Sequence, residues 1–303
     1  MQWEYDIRRD GDQLSFHGGV LVDRDLVFVG TDLPTGHVYA FDPVSGRVHW
    51  KRAAGSGVGS DILASSDTVY ALTQDGVMLA LGRRTGRVRW SYSTANPLSG
   101  AARFAAPALA EGRVFVPVEN GAIHALNAST GSVIWESSLT SPITTSLAVV
   151  GGEVFVGTKD GALHRMDART GRVQGTLKLG RPPRGALVPA GQSLLLFVGE
   201  NQSDSSLISA RRALTLVDWE QPAPEGSEWT SLRPLVTGNF VLAGGLQGEL
   251  RAFGVDDGSL QWSTQVEGVV KVVGREDDLL LVGTEGGLLL SFRLSPHAMV
   301  QRN

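Results

Sequence analysis

The stretch VYAFDPVSGRVHW (residues 38–50) contains an apolar run, a glycine turn and a second short run that ends in tryptophan. The same plan returns forty residues later as MLALGRRTGRVRW (residues 78–90). The spacing Gly-x-x-x-Trp occurs again at Gly131/Trp135 and Gly258/Trp262, whereas the copy at Gly171 has Gly175 in place of the tryptophan. A segment that recurs at this interval is typical of the blades of a β-propeller.

Seven such units fit the chain. Trp219 lies at the right distance without a preceding glycine, and the last unit, which begins near residue 279, never reaches a tryptophan. Trp3, at the other end of the chain, supplies the missing residue. The anchor positions are then 3, 50, 90, 135, 175, 219 and 262. We therefore predict that residues 1–8 complete the blade formed by residues 275–294, which removes two exposed sheet edges, and that deleting residues 1–8 lowers stability far more than the loss of an ordinary terminus.

Each unit is predicted to contain four short strands. Residues 104–138 show the pattern: a small apolar segment, the β-branched run RVFVPV, the turn signal Asn120-Gly121, a third apolar segment and the outer segment SVIWESS. Helical periodicity is nowhere sustained. The predicted fold is a single domain over residues 1–303, an all-β, seven-bladed β-propeller of four-stranded antiparallel blades.

Composition excludes several classes of function. The chain has 303 residues, a formal net charge of -4 and no cysteine, so we expect no nucleic-acid partner, no disulfide and no thiolate metal site. No segment approaches the length of an apolar transmembrane helix. The N-terminus lacks the apolar core of a signal peptide, which predicts a cytoplasmic protein, or a periplasmic one if a signal was trimmed.

The motif Ala-x-Asp-x-x-Ser/Thr-Gly-x-x-x-Trp, read at Ala40, Asp42, Ser45, Gly46 and Trp50, resembles the tryptophan-docking motif of PQQ-like β-propeller repeats. Such repeats occur in quinoprotein alcohol dehydrogenases and in BamB-type assembly proteins. The resemblance spans essentially the whole chain. It implies that the docking tryptophans pack between adjacent blades and donate the indole N–H to a backbone carbonyl. Those tryptophans are Trp3, Trp50, Trp90, Trp135, Trp219 and Trp262.

Three functions are compatible with the resemblance. The first is a non-enzymatic scaffold, a monomeric ring that presents its loops to a protein or peptide partner and needs no cofactor. The second is a quinoprotein, either a dehydrogenase or a sensor, that binds PQQ with calcium at the propeller axis. The third is a sensory module of a larger receptor or kinase. The missing cysteines and the count of seven blades, where the quinoprotein alcohol dehydrogenases have eight, favour the scaffold.

Histidines and glycines give no independent sign of a catalytic site. His124 and His164 occupy the same position in neighbouring repeats, which indicates structural roles rather than converging metal ligands, and His49 before a docking tryptophan is expected to carry no chemistry. The glycine-rich residues 53–61 precede a strand, whereas a phosphate loop precedes a helix. We predict neither a catalytic residue nor a metal site.

The starts of the inner strands are the predicted partner or ligand mouth, since propellers bind ligands there. Its basic side chains could form a funnel for an acidic ligand, or they could be solvated strand ends that face different ways. On the funnel hypothesis, reversing the charges of Arg184 and Arg233 together abolishes binding of an acidic ligand. The candidate residues are His17, Asp61, Arg103, Phe104, Thr145, Arg184, Arg233 and Lys271.

The fifth unit departs from the repeat. It loses its tight turn and carries a connection rich in Pro, Glu and Ser that contains an extra tryptophan, Trp229. Binding residues concentrate on extended loops of rigid scaffolds, although the irregularity is equally compatible with ordinary decay of a repeat. We predict that Trp229 contacts the partner and that its replacement by Ala weakens partner capture without lowering stability.

Overall fold

The structure is a computed structural model of the full chain. It describes residues 3, 5–7, 16–23, 25–32, 35–98, 105–200, 204–230, 233–276, 279–285 and 289–293. The regular elements along these ranges are strands, in keeping with the absence of helical periodicity from the sequence. Arg103 and Phe104, both predicted mouth residues, lie outside the described residues.

The strands form seven antiparallel sheets, and in every sheet the strands pair in chain order. Sheet 1 comprises β1 (Phe16–Asp23), β2 (Leu26–Thr31), β3 (His37–Phe41) and β4 (Val48–Ala53). Sheet 2 comprises β5 (Leu63–Ala64), β6 (Thr68–Leu72), β7 (Val77–Gly82) and β8 (Val88–Ser93). Sheet 3 comprises β9 (Ala108–Ala110), β10 (Arg113–Pro117), β11 (Ala122–Asn127) and β12 (Val133–Ser138).

Sheet 4 comprises β13 (Ala148–Val150), β14 (Glu153–Thr158), β15 (Ala162–Asp167) and β16 (Val173–Lys178). Sheet 5 comprises β17 (Pro183–Ala190), β18 (Ser193–Val198), β19 (Ser206–Arg211) and β20 (Val217–Pro222). Sheet 6 comprises β21 (Leu235–Thr237), β22 (Phe240–Gly244), β23 (Glu249–Gly254) and β24 (Leu260–Gln265). Sheet 7 comprises β25 (Val270–Glu276), β26 (Leu279–Thr284) and β27 (Leu289–Arg293).

Each sheet corresponds to one predicted blade, and the predicted fold class, a seven-bladed β-propeller, is confirmed. Sheet 7 has three strands among the described residues. The fourth strand that residues 1–8 are predicted to supply stays a prediction, because residues 1, 2, 4 and 8 lie outside the described part of the chain. The assignment of the chain to one domain also stays a prediction. The contacts divide the chain into two parts. The first compact unit comprises residues 1–152 and 168–172, and the second compact unit comprises residues 153–167 and 173–303.

Burial follows the position of a strand in its sheet. The second strand is buried at every position in β2 and β6, where β-branched and aromatic residues dominate. The outer strand alternates between exposed and half-buried positions, as in β8 and β12, because one of its faces meets solvent. In sheets 1, 2, 3, 5 and 6 the tryptophan of this strand occupies a buried or half-buried position.

The hairpin turns between second and third strands require glycine. Gly121 has a φ of 90°, and a Cβ added there would lie 2.3 Å from the carbonyl oxygen of Ser141. The Asn120 side chain accepts a hydrogen bond from the Ala122 N–H at 3.0 Å. The Leu139 N–H donates to the Gly121 carbonyl at 3.0 Å, so the turn is also bonded to the connection that leaves the outer strand. The Asn-Gly signal read in the sequence thus marks a turn that leaves no room for a side chain.

Apolar residues from consecutive sheets form the core. One cluster joins Phe28 and Trp50 of sheet 1 to Val69 and Leu81 of sheet 2. Equivalent clusters join three further pairs of sheets: 2 with 3, 5 with 6, and 6 with 7. Packing between neighbouring sheets is therefore the main apolar contribution to stability.

Candidate functional site

The docking tryptophans make one repeated contact. Trp50 is 9% exposed and donates its indole N–H to the Arg83 carbonyl at 2.8 Å. Its ring lies against Gly86, which has a φ of 61° and where an added Cβ would be 2.7 Å from Trp50 Cε3. The same indole bond is made by Trp3 to Pro43 at 2.8 Å, Trp90 to Ala128 and Trp135 to Ala168 at 3.0 Å, and Trp219 to Val255 at 2.9 Å.

Trp262 is half-buried in the cluster between sheets 6 and 7. By the pattern of the other tryptophans it would dock against the residues that follow β27. Those residues, 294–303, lie outside the described residues, so its docking contact stays a prediction. The other tryptophans in this contact bridge neighbouring sheets and use their only polar group within the protein. They are structural residues that leave nothing for a substrate.

The fourth repeat, which forms sheet 4, has charged side chains in place of the docking tryptophan. In sheets 1, 2, 3 and 6 an alanine pairs across strands with the tryptophan, as Ala40 does with Trp50. In sheet 4 the pair is Arg165 with Gly175, so the large side chain comes from the other strand. Arg165 pairs with Glu153 at 3.1 Å, and Arg212 of sheet 5 pairs with the same carboxylate at 3.5 Å. We call Glu153, Arg165 and Arg212 the ionic cluster. The sequence signal for it was an arginine at the alanine position of the one unit that lacks a tryptophan.

The structure describes only some of the predicted mouth residues of the first compact unit. His17 pairs through its backbone with Gly30 in β1 and β2. Asp61 accepts a hydrogen bond from the Gly19 N–H at 2.7 Å, which ties the start of the second inner strand to the first. Thr145 is buried. The hydroxyl of Ser60, the residue before Asp61, is also buried, and no described residue forms a hydrogen bond with it.

Arg184 of β17, in the second compact unit, is bonded to other residues of the protein. Its guanidinium donates to the Ser205 hydroxyl at 2.9 Å and to the Trp229 carbonyl, and lies 5.9 Å from the centroid of the Phe197 ring. Burial lowers the pKa of Arg184, while the charges of Glu228 and Asp204 oppose that shift. The guanidinium therefore holds the fifth connection in place through bonds that a ligand would have to replace.

Trp229 is a core residue, and the prediction that it contacts a partner is corrected. Its side chain is 0% exposed and packs with Phe197, Trp219 and Phe253. The indole N–H donates to the Gln221 carbonyl at 3.2 Å. A side chain with no exposed surface has none to offer a partner, so Trp229→Ala removes core packing instead.

A positional signal in the repeat could have identified this role. The residue eight positions after the anchor is buried and apolar in other units, as at Val58, Leu98, Ile143 and Val270. Trp229 follows Trp219 by ten positions. The fifth connection is two residues longer, and this difference concealed the equivalence.

The fifth connection itself is closely bonded. The Ser227 hydroxyl donates to the buried Glu249 carboxylate, which also accepts the Gln247 N–H at 2.9 Å. Gln247 in turn donates its amide to the Gly226 carbonyl at 2.9 Å. The loop that sequence analysis treated as a binding loop is thus secured along both flanks of Trp229.

The last two mouth cations lie at the surface. Arg233 is exposed. Lys271 on β25 is exposed and lies 3.6 Å from the Glu285 carboxylate. Arg184 is half-buried and bonded to Ser205 and the Trp229 carbonyl, and Lys271 lies beside a carboxylate. These two described side chains therefore do not supply the available cations on which the funnel hypothesis rests. That hypothesis therefore has less support than its alternative of separate strand ends.

The histidines make bonds within their own sheets or with the neighbouring sheet. His164 is buried between the hydroxyls of Thr158 and Thr176, each 3.1 Å from a ring nitrogen, and burial lowers its pKa. His124 lies 2.8 Å from the Tyr92 hydroxyl, and burial likewise lowers its pKa. His164 is thus a hydrogen-bonded polar residue of the core, and His124 a half-buried one between two sheets.

The donor set for PQQ with calcium does not fit what is described. Calcium requires several convergent oxygen ligands, and no group of three or more His, Asp or Glu side chains arranged to hold a metal occurs in the described ranges. The chain also has no cysteine for the disulfide against which the quinoprotein alcohol dehydrogenases pack the cofactor. Within the described chain, no helix has the length and apolarity needed to cross a membrane.

Two curated proteins share sequence similarity with the chain. “Outer membrane protein assembly factor BamB” of Yersinia pestis is 27% identical over 124 residues, which are 39% of this chain and 31% of that protein. “Quinohemoprotein alcohol dehydrogenase ADH IIB” of Pseudomonas putida is 27% identical over 104 residues, 33% of this chain and 15% of that enzyme. The matched stretch thus spans less than a third of the length of either relative.

Among solved structures, BamB from Moraxella catarrhalis has a TM-score of 0.74 at 21% identity, over 93% of this chain and 84% of that one. The computationally designed Ika8 protein has a TM-score of 0.60 at 14% identity, over 93% and 97%. Both likenesses show the fold. The family model described as “Outer membrane protein assembly factor BamB” matches residues 1–110 and 96–298. With nearly the whole length matched by that model, the chain belongs to the BamB family of outer membrane protein assembly factors.

Proposed function

We propose that this chain is a non-enzymatic scaffold that holds a protein partner during the assembly of outer membrane proteins. Membership of the BamB family is the observation that carries the proposal. The site supports it, because Arg184 and Lys271, two of the predicted mouth residues, are engaged by groups of the protein itself. A rigid set of blades with exposed turns is suited to presenting surface.

The compartment follows from this proposal. A factor that assembles outer membrane proteins must meet them outside the cytoplasm, which favours the periplasmic option. The cytoplasmic expectation has no support from the relatives. We also propose that the protein is a monomer, which sedimentation at several protein concentrations would test.

The test is genetic. Deleting the gene in its source organism is expected to reduce the amount of folded outer membrane protein, and expressing this chain with a secretion signal should restore it. A secreted copy carrying Gly86→Trp, which blocks the Trp50 dock, is the misfolded control. Unchanged levels of folded outer membrane protein in the deletion strain would contradict the proposal.

The quinoprotein function is the competing proposal, favoured by the similarity to the quinohemoprotein alcohol dehydrogenase. Its test is to add PQQ and calcium to purified protein and follow the absorbance and the melting temperature. A ligand that binds the folded state raises the melting temperature in proportion to the logarithm of its concentration. A saturable spectral change with such a shift would replace the scaffold proposal, whereas no response would leave the scaffold standing.

A further inference from the structure

In the first compact unit, two neighbouring turns carry exposed arginine and valine side chains. They contain the glycines Gly46 and Gly86 of sheets 1 and 2, and the basic turn patch consists of Val44, Arg47, Val48, Arg84, Arg87 and Val88. Val44 is 79% exposed, Val48 37% and Val88 51%. Val133 and Val173 occupy the same repeat position as Val48 and Val88 and are exposed too. What sets these two turns apart is that both, side by side, carry an exposed arginine next to the valine.

The two turns form one surface because sheet 1 docks onto the turn of sheet 2. The His49 ring lies 3.1 Å from the Arg84 carbonyl, and Arg52 donates to the Gly86 carbonyl at 2.7 Å. Trp50 fixes the same turn through Arg83. The spacing of the two turns is therefore set by three side chains of a single strand, β4.

The carboxylates beside the patch are already engaged. Asp42 accepts the Ser45 N–H at 2.6 Å and so caps its own turn. Asp25 bonds Arg83 at 2.8 Å and Arg84 at 2.6 Å. No ion pair to Arg47 or Arg87 is found among the described residues. Arg47 and Arg87 therefore remain exposed cations on a protein whose formal net charge is -4.

The chemistry of the patch selects one kind of partner. Guanidinium groups bind carboxylates in paired hydrogen bonds, and the valines between them add apolar contact. A nucleic acid or an anionic bilayer would meet a net negative protein through only three arginines, with no aromatic side chain in the patch for base stacking. A short protein segment with alternating acidic and apolar residues matches both features of the patch.

We propose that the basic turn patch docks an acidic, valine- or leucine-containing segment of a protein partner. The proposal rests on the scaffold function and names the chemistry of its partner. The same Gly-Arg-Val triplet occurs at Gly171, where Arg172 is exposed. There, however, the turn of the next sheet has Arg211 paired with Asp218 at 2.8 Å, so a second available arginine is missing from the described surroundings.

The test uses the full chain and a fluorescent peptide of alternating Glu and Val, with binding followed by anisotropy. We expect the double variant Arg47→Glu/Arg87→Glu to weaken binding about tenfold or more, and salt to weaken wild-type binding as it screens exposed charge. The matched control, Lys159→Glu/Arg172→Glu, makes the same change in net charge at exposed positions outside the patch and should bind as the wild type does. A Glu/Ser peptide should bind more weakly than the Glu/Val peptide, and a Lys/Val peptide should not bind.

The proposal is overturned by no binding of the Glu/Val peptide, by equal loss in the patch and control variants, or by tighter binding of vesicles rich in phosphatidylglycerol than of the peptide. Melting temperatures of both variants show whether they remain folded. Restoration of outer membrane protein assembly by the patch variant would reject the patch and leave the scaffold function intact. Failure of the wild-type chain itself to restore assembly would reject the scaffold function independently of the peptide result.

Discussion

Gly86→Ala tests whether tryptophan docking couples neighbouring sheets. Gly86 has a φ of 61°, and the added Cβ would lie 2.7 Å from Trp50 Cε3 and 2.8 Å from Cδ2. A non-glycine residue in the left-handed region costs about 1–2 kcal/mol. Forcing a methyl group into a packed contact costs about 1–3 kcal/mol more. We therefore expect Gly86→Ala to lower the free energy of unfolding by roughly 2–5 kcal/mol.

Gly112→Ala separates the two contributions. Gly112 has a φ of 70°, yet an added Cβ there meets nothing within 4 Å. It should cost only the backbone strain, about 1–2 kcal/mol. Trp50→Ala should cost about 3–5 kcal/mol because it removes a buried aromatic side chain, and it should abolish the extra cost of Gly86→Ala in the double variant.

The assay is chemical denaturation followed by far-UV circular dichroism, which avoids the change in tryptophan fluorescence. The quantity of interest is the coupling energy between Trp50→Ala and Gly86→Ala, expected at about 1–3 kcal/mol. If Gly86→Ala costs no more than Gly112→Ala, or if the two substitutions are additive, the docking contact does not stabilise the fold in the way described.

Other contacts give predictions of the same kind. The pKa of His164 is lowered by burial, so the folded state binds fewer protons than the unfolded one. Stability is therefore lost as the pH falls below the unfolded pKa of about 6.5. His164→Asn should flatten this pH dependence in denaturation experiments, and an unchanged pH dependence would contradict the prediction. Arg184→Met should cost about 2–4 kcal/mol by leaving the Ser205 hydroxyl and Trp229 carbonyl with one partner fewer, and a cost within about 0.5 kcal/mol, normal for a surface residue, would show that Arg184 is not structural. Trp3→Ala should lower the melting temperature through loss of its bond to Pro43, and an unchanged value in both this variant and the deletion of residues 1–8 would refute closure by the N-terminus.

The fold was readable from the sequence because the repeat has strict geometric demands. Trp50 and Gly86 must meet within one docking contact, and Asn120-Gly121 marks a turn where a side chain has no room. Requirements of this kind recur in unit after unit, so their spacing alone predicts seven blades. Repetition makes each instance a check on the others.

The predicted site was less reliable because burial depends on connection length and on partners distant in the sequence. Trp229 looked like an exposed loop residue, since two extra residues displaced it from the position that Val58 occupies in its own unit. Arg184 looked like a free cation because Ser205 and the Trp229 carbonyl, which bind it, lie more than twenty positions away. Side-chain orientation at a strand start is settled by such contacts, and no local pattern encodes them.

The ionic cluster has a consequence for how the blades are ordered. Most seams between sheets use an indole and a glycine, and blades joined in this way are interchangeable in principle. The seam between sheets 4 and 5 instead joins Glu153 and Arg165 to Arg212. At this seam, sheet 4 offers no indole to its neighbour, although each of the two sheets makes a tryptophan dock on its other side. This mismatch acts against misregistered assembly during folding, a hazard of repeat proteins. Because this seam differs from the others, it distinguishes the pairing of sheets 4 and 5 from every tryptophan-docked pairing in an otherwise periodic chain.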